Sequence, residues 1–162
     1  MKIIYHCYGG AHSSVTAAAV HLGWLPTDRI PGSDEIKAIP YFDRPVTGDH
    51  GRLQFMGNDE FGNDIYVIGR RNAARVFENM AIGMAQVYGF CSEQLVLVNV
   101  MPYVNWKMVV GGFTSRKLGF TAIGRPVVTA GVKAAYWKIV SIVNRIKVCT
   151  ASGNTVGLKR AN

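Results

Sequence analysis

The first fourteen residues constrain this chain most. Lys2-Ile3-Ile4-Tyr5-His6-Cys7-Tyr8 is apolar on both faces, as a central strand of a parallel sheet must be. Gly9-Gly10 breaks the strand, Ser13 or Ser14 is a predicted N-cap, and Val15 to Leu22 is alanine-rich and helical. Gly23 fits the end of that helix, with Pro26 beyond it. Strand, glycine loop and helix in this order open a βαβ unit. The expected fold class is therefore α/β, a three-layer Rossmann-like fold with a mostly parallel sheet and helices on both faces.

The rest of the chain extends that pattern. Residues 26–51 are rich in Pro, Gly and Asp and read as a long irregular connection, in which Ser33-Asp34-Glu35-Ile36 can start one helical turn. Arg52 to Met56 and Asp64 to Ile68 are predicted strands. The turn formers from Gly57 to Asn63 make them a β-hairpin. Asn72 can cap a helix from Ala73 to about Tyr88, with Val76, Phe77, Met80, Met84, Val87 and Tyr88 at helical spacing and Gly89 ending it. Gln94 to Val100 is a buried strand. Tyr103 to Leu118 is helical at one end and interrupted by Gly111-Gly112. Gly119 to Ile123 is a last strand, and Pro126 opens a helix running to about Lys147. Val128, Ala135, Ile139, Ile142, Val143 and Ile146 form its expected buried stripe. Residues 1–149 are expected to form one domain and 150–162 a disordered tail.

With 49% hydrophobic residues in 162, the chain can build a core without disulfides or metals. Its three cysteines, Cys7, Cys91 and Cys149, are far apart and include no CxxC pair, which excludes a disulfide framework and a structural zinc site. No apolar leader follows Met1-Lys2, and Lys133, Lys138, Asn144 and Arg145 interrupt the apolar C-terminal stretch. The expectation is a cytoplasmic protein with no membrane partner. Residues 1–64 hold five Lys/Arg and eight Asp/Glu, whereas 65–162 hold thirteen and two. A basic second half can meet nucleic acid, but no interleaving of aromatics and glycines favours that partner.

Three predicted strand-to-helix junctions share one character: His6-Cys7-Tyr8-Gly9-Gly10-Ala11-His12-Ser13-Ser14, Ile68-Gly69-Arg70-Arg71-Asn72 and Ile123-Gly124-Arg125-Pro126. In a parallel sheet all three lie on the carboxyl edge, where ligands bind. Glycines let consecutive N–H groups turn inward, and a helix N-terminus adds unpaired donors and partial positive charge. The candidate ligand-binding residues are His6, Gly9, Gly10, Ser13, Ser14, Arg70 and Arg125, with the two arginines neutralising an anion. The candidate catalytic residues are Cys7 and His12. A cysteine before a helix N-terminus is placed to form a thiolate, and His6 or His12 can serve as a base. Cys7 is thus expected to be the most reactive of the three thiols. His21 is expected to be structural, and Asp43 and Asp49 to belong to a solvated loop. No metal site is expected, and no cofactor is specified. The loop is neither a Walker A motif nor a dinucleotide fingerprint.

The loop resembles two known designs over about nine residues. Cys7, Gly9 and Ser14 match the loop of low-molecular-weight tyrosine phosphatases and arsenate reductases, but Ser13 stands where that family has arginine. Cys7, Gly10, Ser13 and Ser14 match the phosphocysteine loop of sugar-phosphotransferase IIB proteins. Over nine tenths of its length the chain resembles an uncharacterised family of Gram-positive anaerobes, domain-of-unknown-function family 3189. That resemblance rests on Tyr5 to Ser14, Ile39-Pro40-Tyr41-Phe42-Asp43, Gly111-Gly112-Phe113-Thr114-Ser115-Arg116 and Ile123-Gly124-Arg125-Pro126. It implies no activity.

The leading expectation is a protein that binds a phosphate-containing small molecule or nucleotide, with phosphoryl transfer or hydrolysis through a cysteine nucleophile as its chemistry if it is an enzyme. The alternatives are a non-catalytic regulatory or partner-binding protein, and nucleic-acid binding through the basic second half.

Overall fold

The computed structural model describes residues 1–44, 50–90, 94–117 and 119–152. The elements run β1 (Lys2–Cys7), α1 (Ser13–His21), α2 (Ser33–Lys37), β2 (Gln54–Asn58), β3 (Asp64–Gly69), α3 (Ala74–Val87), β4 (Leu95–Asn99), α4 (Trp106–Gly112) and α5 (Thr121–Ala151). A 3₁₀ turn (Met101–Tyr103) precedes α4, and a π-helical turn (Phe113–Lys117) continues it.

Four strands form one sheet in the order β2-β3-β1-β4. β1 is central and parallel to β3 and β4, whereas β2 is an antiparallel edge strand, the expected hairpin. Along β1, Ile3, Tyr5 and Cys7 join the large core formed with α1 and α5, and Ile4 joins the smaller core of Ile68, Phe77 and Leu97 under α3. The sheet therefore lies between two helical layers, an architecture consistent with a Rossmann-like α/β fold. The chain leaves β1 toward one layer and β3 toward the other. The carboxyl ends of these neighbouring strands thus flank a topological switch point, where such sheets bind ligands.

Gly23 and Gly89 end their helices with φ of 72° and 73°, as expected of glycine just past a C-cap. The N-caps differ from expectation. His12, not a serine, caps α1, and Ala73, not Asn72, caps α3, neither through its side chain. The α3 stripe also departs from expectation. Only Phe77 is buried, while Val76, Met80, Met84, Val87 and Tyr88 face outward.

The largest departure is after β4. Gly119 to Ile123 is not a strand, because Gly119 turns the chain with φ of 76° and α5 begins at Thr121. Ile123-Gly124-Arg125 therefore lies inside a helix, and Pro126 sits one turn in. The glycines here serve close helix packing. A Cβ on Gly111 would lie 2.6 Å from Val128 N, one on Gly124 2.5 Å from Ser115 N, and one on Gly131 2.8 Å from Met108 N. Gly111 and Gly112 accordingly continue α4 rather than interrupt it.

The expected stripe of α5 is buried throughout. By length and composition α5 is also long and apolar enough to cross a membrane, but more than half of its most apolar stretch is buried within the protein. The helix extends to Ala151, and residues 153–162 of the expected tail lie outside the described residues.

Candidate functional site

The β1–α1 loop is joined to the end of β3 by backbone. Arg70 N donates to Cys7 O at 3.0 Å and Arg71 N to Tyr8 O at 2.9 Å. The two glycine segments touch without room for a side chain: a Cβ on Gly10 would lie 2.5 Å from Gly69 N, and one on Gly69 2.6 Å from Gly9 C. Gly10 also has φ of 68°, a conformation that only glycine adopts without strain.

Cys7 lies at the base of this loop, with its side chain in the α1–α5 core. Gly10 N–H donates to Cys7 Sγ at 3.2 Å, and Ser14 Oγ lies 3.3 Å from it. In the first turn of α1, Ser13, Ser14 and Val15 are fully buried. An α-helix has no internal acceptor for its first amides. None of these three N–H groups meets another acceptor among the described residues. Ser13 Oγ is likewise buried without a hydrogen-bond partner. Buried amides are almost always paired, so the acceptor for this turn lies outside the described residues.

Beside the loop lies a small, open cleft. The Gly9-Gly10-Ala11 backbone forms one wall, and Tyr41, Arg44, His50, Arg52 and Gln54 contribute to the others. Arg71 Nη2 lies 3.3 Å from His50 Nδ1. Tyr41, Asp43 and Arg71 all have positive φ, of 64°, 48° and 49°. Such strain in non-glycine residues concentrates at functional sites.

His12 connects the loop to a buried network. Its Nε2 lies 2.9 Å from Asp43 Oδ1, and Asp43 Oδ2 accepts from Ser115 Oγ and, at 3.4 Å, from Arg125 Nε. Asp43 N–H donates to Ala11 O at 3.1 Å, tying this turn to the glycine loop itself. The His12 ring rests on Gly112, where a Cβ would come within 2.6 Å of its Cε1. Asp43 is fully buried, not solvated as the sequence suggested. The sequence places it in a loop but carries no sign of these three partners. Asp49 lies outside the described residues.

Arg125 thus reaches the loop's surroundings, through Asp43 and from within α5 rather than from a strand end. Arg70 lies on the carboxyl edge as expected, but on the other face of the sheet. Its Nε donates to His6 Nδ1 at 3.1 Å and its Nη2 to Asn99 Oδ1 at 3.1 Å. His6 faces Phe77 of α3, with ring centroids 5.2 Å apart, and its Nε2 is 3.7 Å from Glu78 Oε1. His6 and Arg70 therefore form a second cluster, separated by the sheet from Cys7. His21 is structural as expected, but fully buried, held between Tyr5 Oη at 2.6 Å and Asp59 Oδ2 at 3.0 Å. Cys149 is a free, partly buried thiol, and Cys91 lies outside the described residues. Among the described residues no group of three His, Cys, Asp or Glu side chains could hold a metal ion.

Burial, and secondarily the Arg70 guanidinium, push His6 down from 6.5 to about 4. Between those values the unfolded chain takes up a proton that the folded chain refuses. The contribution of His6 to stability is complete above pH 6.5 and is lost as pH falls. Wild type should lose up to roughly 3 kcal/mol over this window relative to His6→Gln. Urea midpoints measured from pH 7 to pH 4.5 check this, and parallel pH profiles would refute it.

A family model described as a protein of unknown function (DUF3189) matches residues 2–148. The chain belongs to that family. No curated protein and no solved structure matches the chain.

Proposed function

We propose that this protein binds the phosphate group of a small phosphorylated ligand or nucleotide at the β1–α1 loop. The observation that carries the reading is the buried first turn of α1, whose amides at Ser13, Ser14 and Val15 have no acceptor among the described residues. A phosphate supplies several acceptor oxygens and the negative charge that a helix N-terminus favours. Arg44, His50 and Arg52 in the adjoining cleft would meet the rest of a charged ligand. Arg125 would act indirectly, by holding Asp43. Arg70 is not assigned to this ligand, because its guanidinium is committed to His6 and Asn99 on the far face.

A second reading, phosphoryl transfer, is favoured by one feature: Gly10 N–H and Ser14 Oγ both converge on Cys7 Sγ. In such a reaction Sγ attacks phosphorus, and the P–O bond to the leaving alcohol breaks as that oxygen gains a proton. Water then cleaves the S–P bond, returning the thiol and free phosphate. Ser13, where phosphatases of this type carry arginine, leaves the equatorial charge to the cleft arginines.

Alkylation by iodoacetamide, followed by peptide mass, tests both readings. Millimolar phosphate is expected to slow modification of Cys7 severalfold and to leave Cys149 unchanged. Equal rates with and without phosphate would remove Cys7 from the site.

A further inference from the structure

The turn between β2 and β3 is tied to three other parts of the chain at the amino edge of the sheet, away from the glycine loop. Asp59 Oδ1 accepts from Phe61 N–H at 2.9 Å and Asn63 N–H at 2.8 Å, and Oδ2 accepts from Asn63 Nδ2 at 2.8 Å. The remaining contact of Oδ2 is His21 Nε2 at 3.0 Å, from the last residue of α1. On the other side of that ring, Nδ1 lies 2.6 Å from Tyr5 Oη, in the middle of β1. Tyr5 and His21 are fully buried. The charges around this row are the Met1 ammonium, which donates to Asn63 Oδ1 at 2.9 Å, and Lys147 of α5. Lys147 donates to His21 O at 3.2 Å and pairs with Glu60 Oε1 at 2.7 Å.

The row has one arrangement of protons that satisfies every member. An ionised carboxylate only accepts, so His21 Nε2 carries a hydrogen. The neutral ring then offers Nδ1 as an acceptor, and Tyr5 donates to it. Burial, with Asp59 next, pushes the Tyr5 phenol well above its ordinary value, so it remains a donor. Asp59 lies below the usual carboxylate range although its burial opposes this, because Asn63, His21 and Phe61 donate to it. The member that takes up a proton as pH falls from neutral is therefore His21. A second hydrogen on its ring would face the hydroxyl hydrogen of Tyr5, and Tyr5 Oη has no other hydrogen-bond partner among the described residues. Burial holds His21 below its ordinary 6.5 against the pull of Asp59; Lys147 lowers it further and Glu60 opposes.

We infer that the Tyr5–His21–Asp59 row is an acid-released clasp on the β2–β3 hairpin. The hairpin can loosen by itself because β2 is an edge strand, paired to β3 alone. When Asp59 swings away, the His21 ring meets water and takes up the proton that the closed row refuses. The closed form keeps its full advantage above pH 6.5 and loses it as pH falls. The opening equilibrium rises about tenfold per pH unit until His21 in the closed row itself titrates. Because the clasp lies at the sheet edge opposite the glycine loop, the inference is independent of phosphate binding there.

Amide hydrogen exchange of the full chain from pH 7 to about pH 5, corrected for intrinsic rates, tests it. The amides of Asp59, Phe61, Gly62 and Asn63 all donate within the turn. Their protection should fall about tenfold for each pH unit below 6.5 and should not respond to about 1 M urea, as befits a local opening. Ile139 and Val143 in the core of α5 should respond to urea. His21→Gln, which takes up no proton, should lose the pH slope at the turn. The His21 imidazole resonances of the wild type should show the Nε2–H tautomer at pH 7 and titrate below 6.5, and they decide the matter if His21→Gln does not fold. Turn protection that is constant with pH overturns the inference, as does a slope that persists in His21→Gln. So do turn amides that follow urea in step with Ile139 and Val143, or an imidazole that titrates at or above 6.5.

Discussion

Gly10→Ala is expected to destabilise the protein by about 3 kcal/mol or more, the sum of two separable costs. The first is conformational, since alanine at φ of 68° costs about 1 kcal/mol. The second is steric, since the new Cβ would lie 2.5 Å from the backbone nitrogen of Gly69. Backbone held in a central strand cannot move aside as a flexible side chain would. Gly23→Ala separates the two costs. Gly23 has nearly the same φ, 72°, but a Cβ there meets nothing within 4 Å, so only about 1 kcal/mol should be lost. Gly69→Ala isolates the steric cost, because Gly69 does not have positive φ while its Cβ would lie 2.6 Å from Gly9 C. Urea unfolding of the three variants checks this order, and Gly10→Ala as mild as Gly23→Ala would show that the two loops can separate at little cost.

Asp43→Ala should be comparably severe, at about 3–5 kcal/mol. The carboxylate is fully buried and accepts from Ser115 and Arg125 while facing His12 Nε2. Removing it leaves the buried His12 and Ser115 to find new acceptors, while the half-exposed Arg125 can turn to solvent. Alanine also fits poorly at φ of 48°. Asp43→Asn should cost clearly less, because asparagine tolerates this conformation and keeps one acceptor oxygen. Since Asp43 N–H holds Ala11 O, the alanine variant should also weaken phosphate binding, whereas the asparagine variant should largely retain it. Denaturation curves and phosphate titrations of both variants read these effects. Asp43→Ala within 1 kcal/mol of wild type would mean that the network does not hold the turn.

The parts of the fold that were legible in the sequence are those fixed by local rules. The double-sided apolar strand at Lys2–Cys7, the turn-rich hairpin and the glycines ending α1 and α3 each follow from residues close in the chain. The third junction was not legible, because Ile123-Gly124-Arg125 repeats the triplet of Ile68-Gly69-Arg70 for a different reason. Gly69 admits another loop, and Gly124 admits another helix. The outward stripe of α3 has helical spacing whichever way it faces, so spacing alone could not orient it.

Within the site, strand alternation alone separates two of the candidates. His6 and Cys7 are adjacent in a strand, so their side chains must point to opposite faces, and they cannot share one pocket. Asp43 offered no such signal. Its partners His12, Ser115 and Arg125 are 31, 72 and 82 residues away, and only the folded chain brings them together.

The amide resonances of the β1–α1 loop report phosphate binding there residue by residue. A ¹⁵N-labelled sample titrated with inorganic phosphate at constant ionic strength, against chloride as the reference anion, should show saturable shifts largest at Ala11 to Val15. Smaller shifts should follow in residues lining the cleft, such as Arg44 and Arg52, and none specific to phosphate at His6 or Arg70. Shifts confined to scattered surface lysines and arginines, or a loop that responds to phosphate no more than to chloride, would contradict the account.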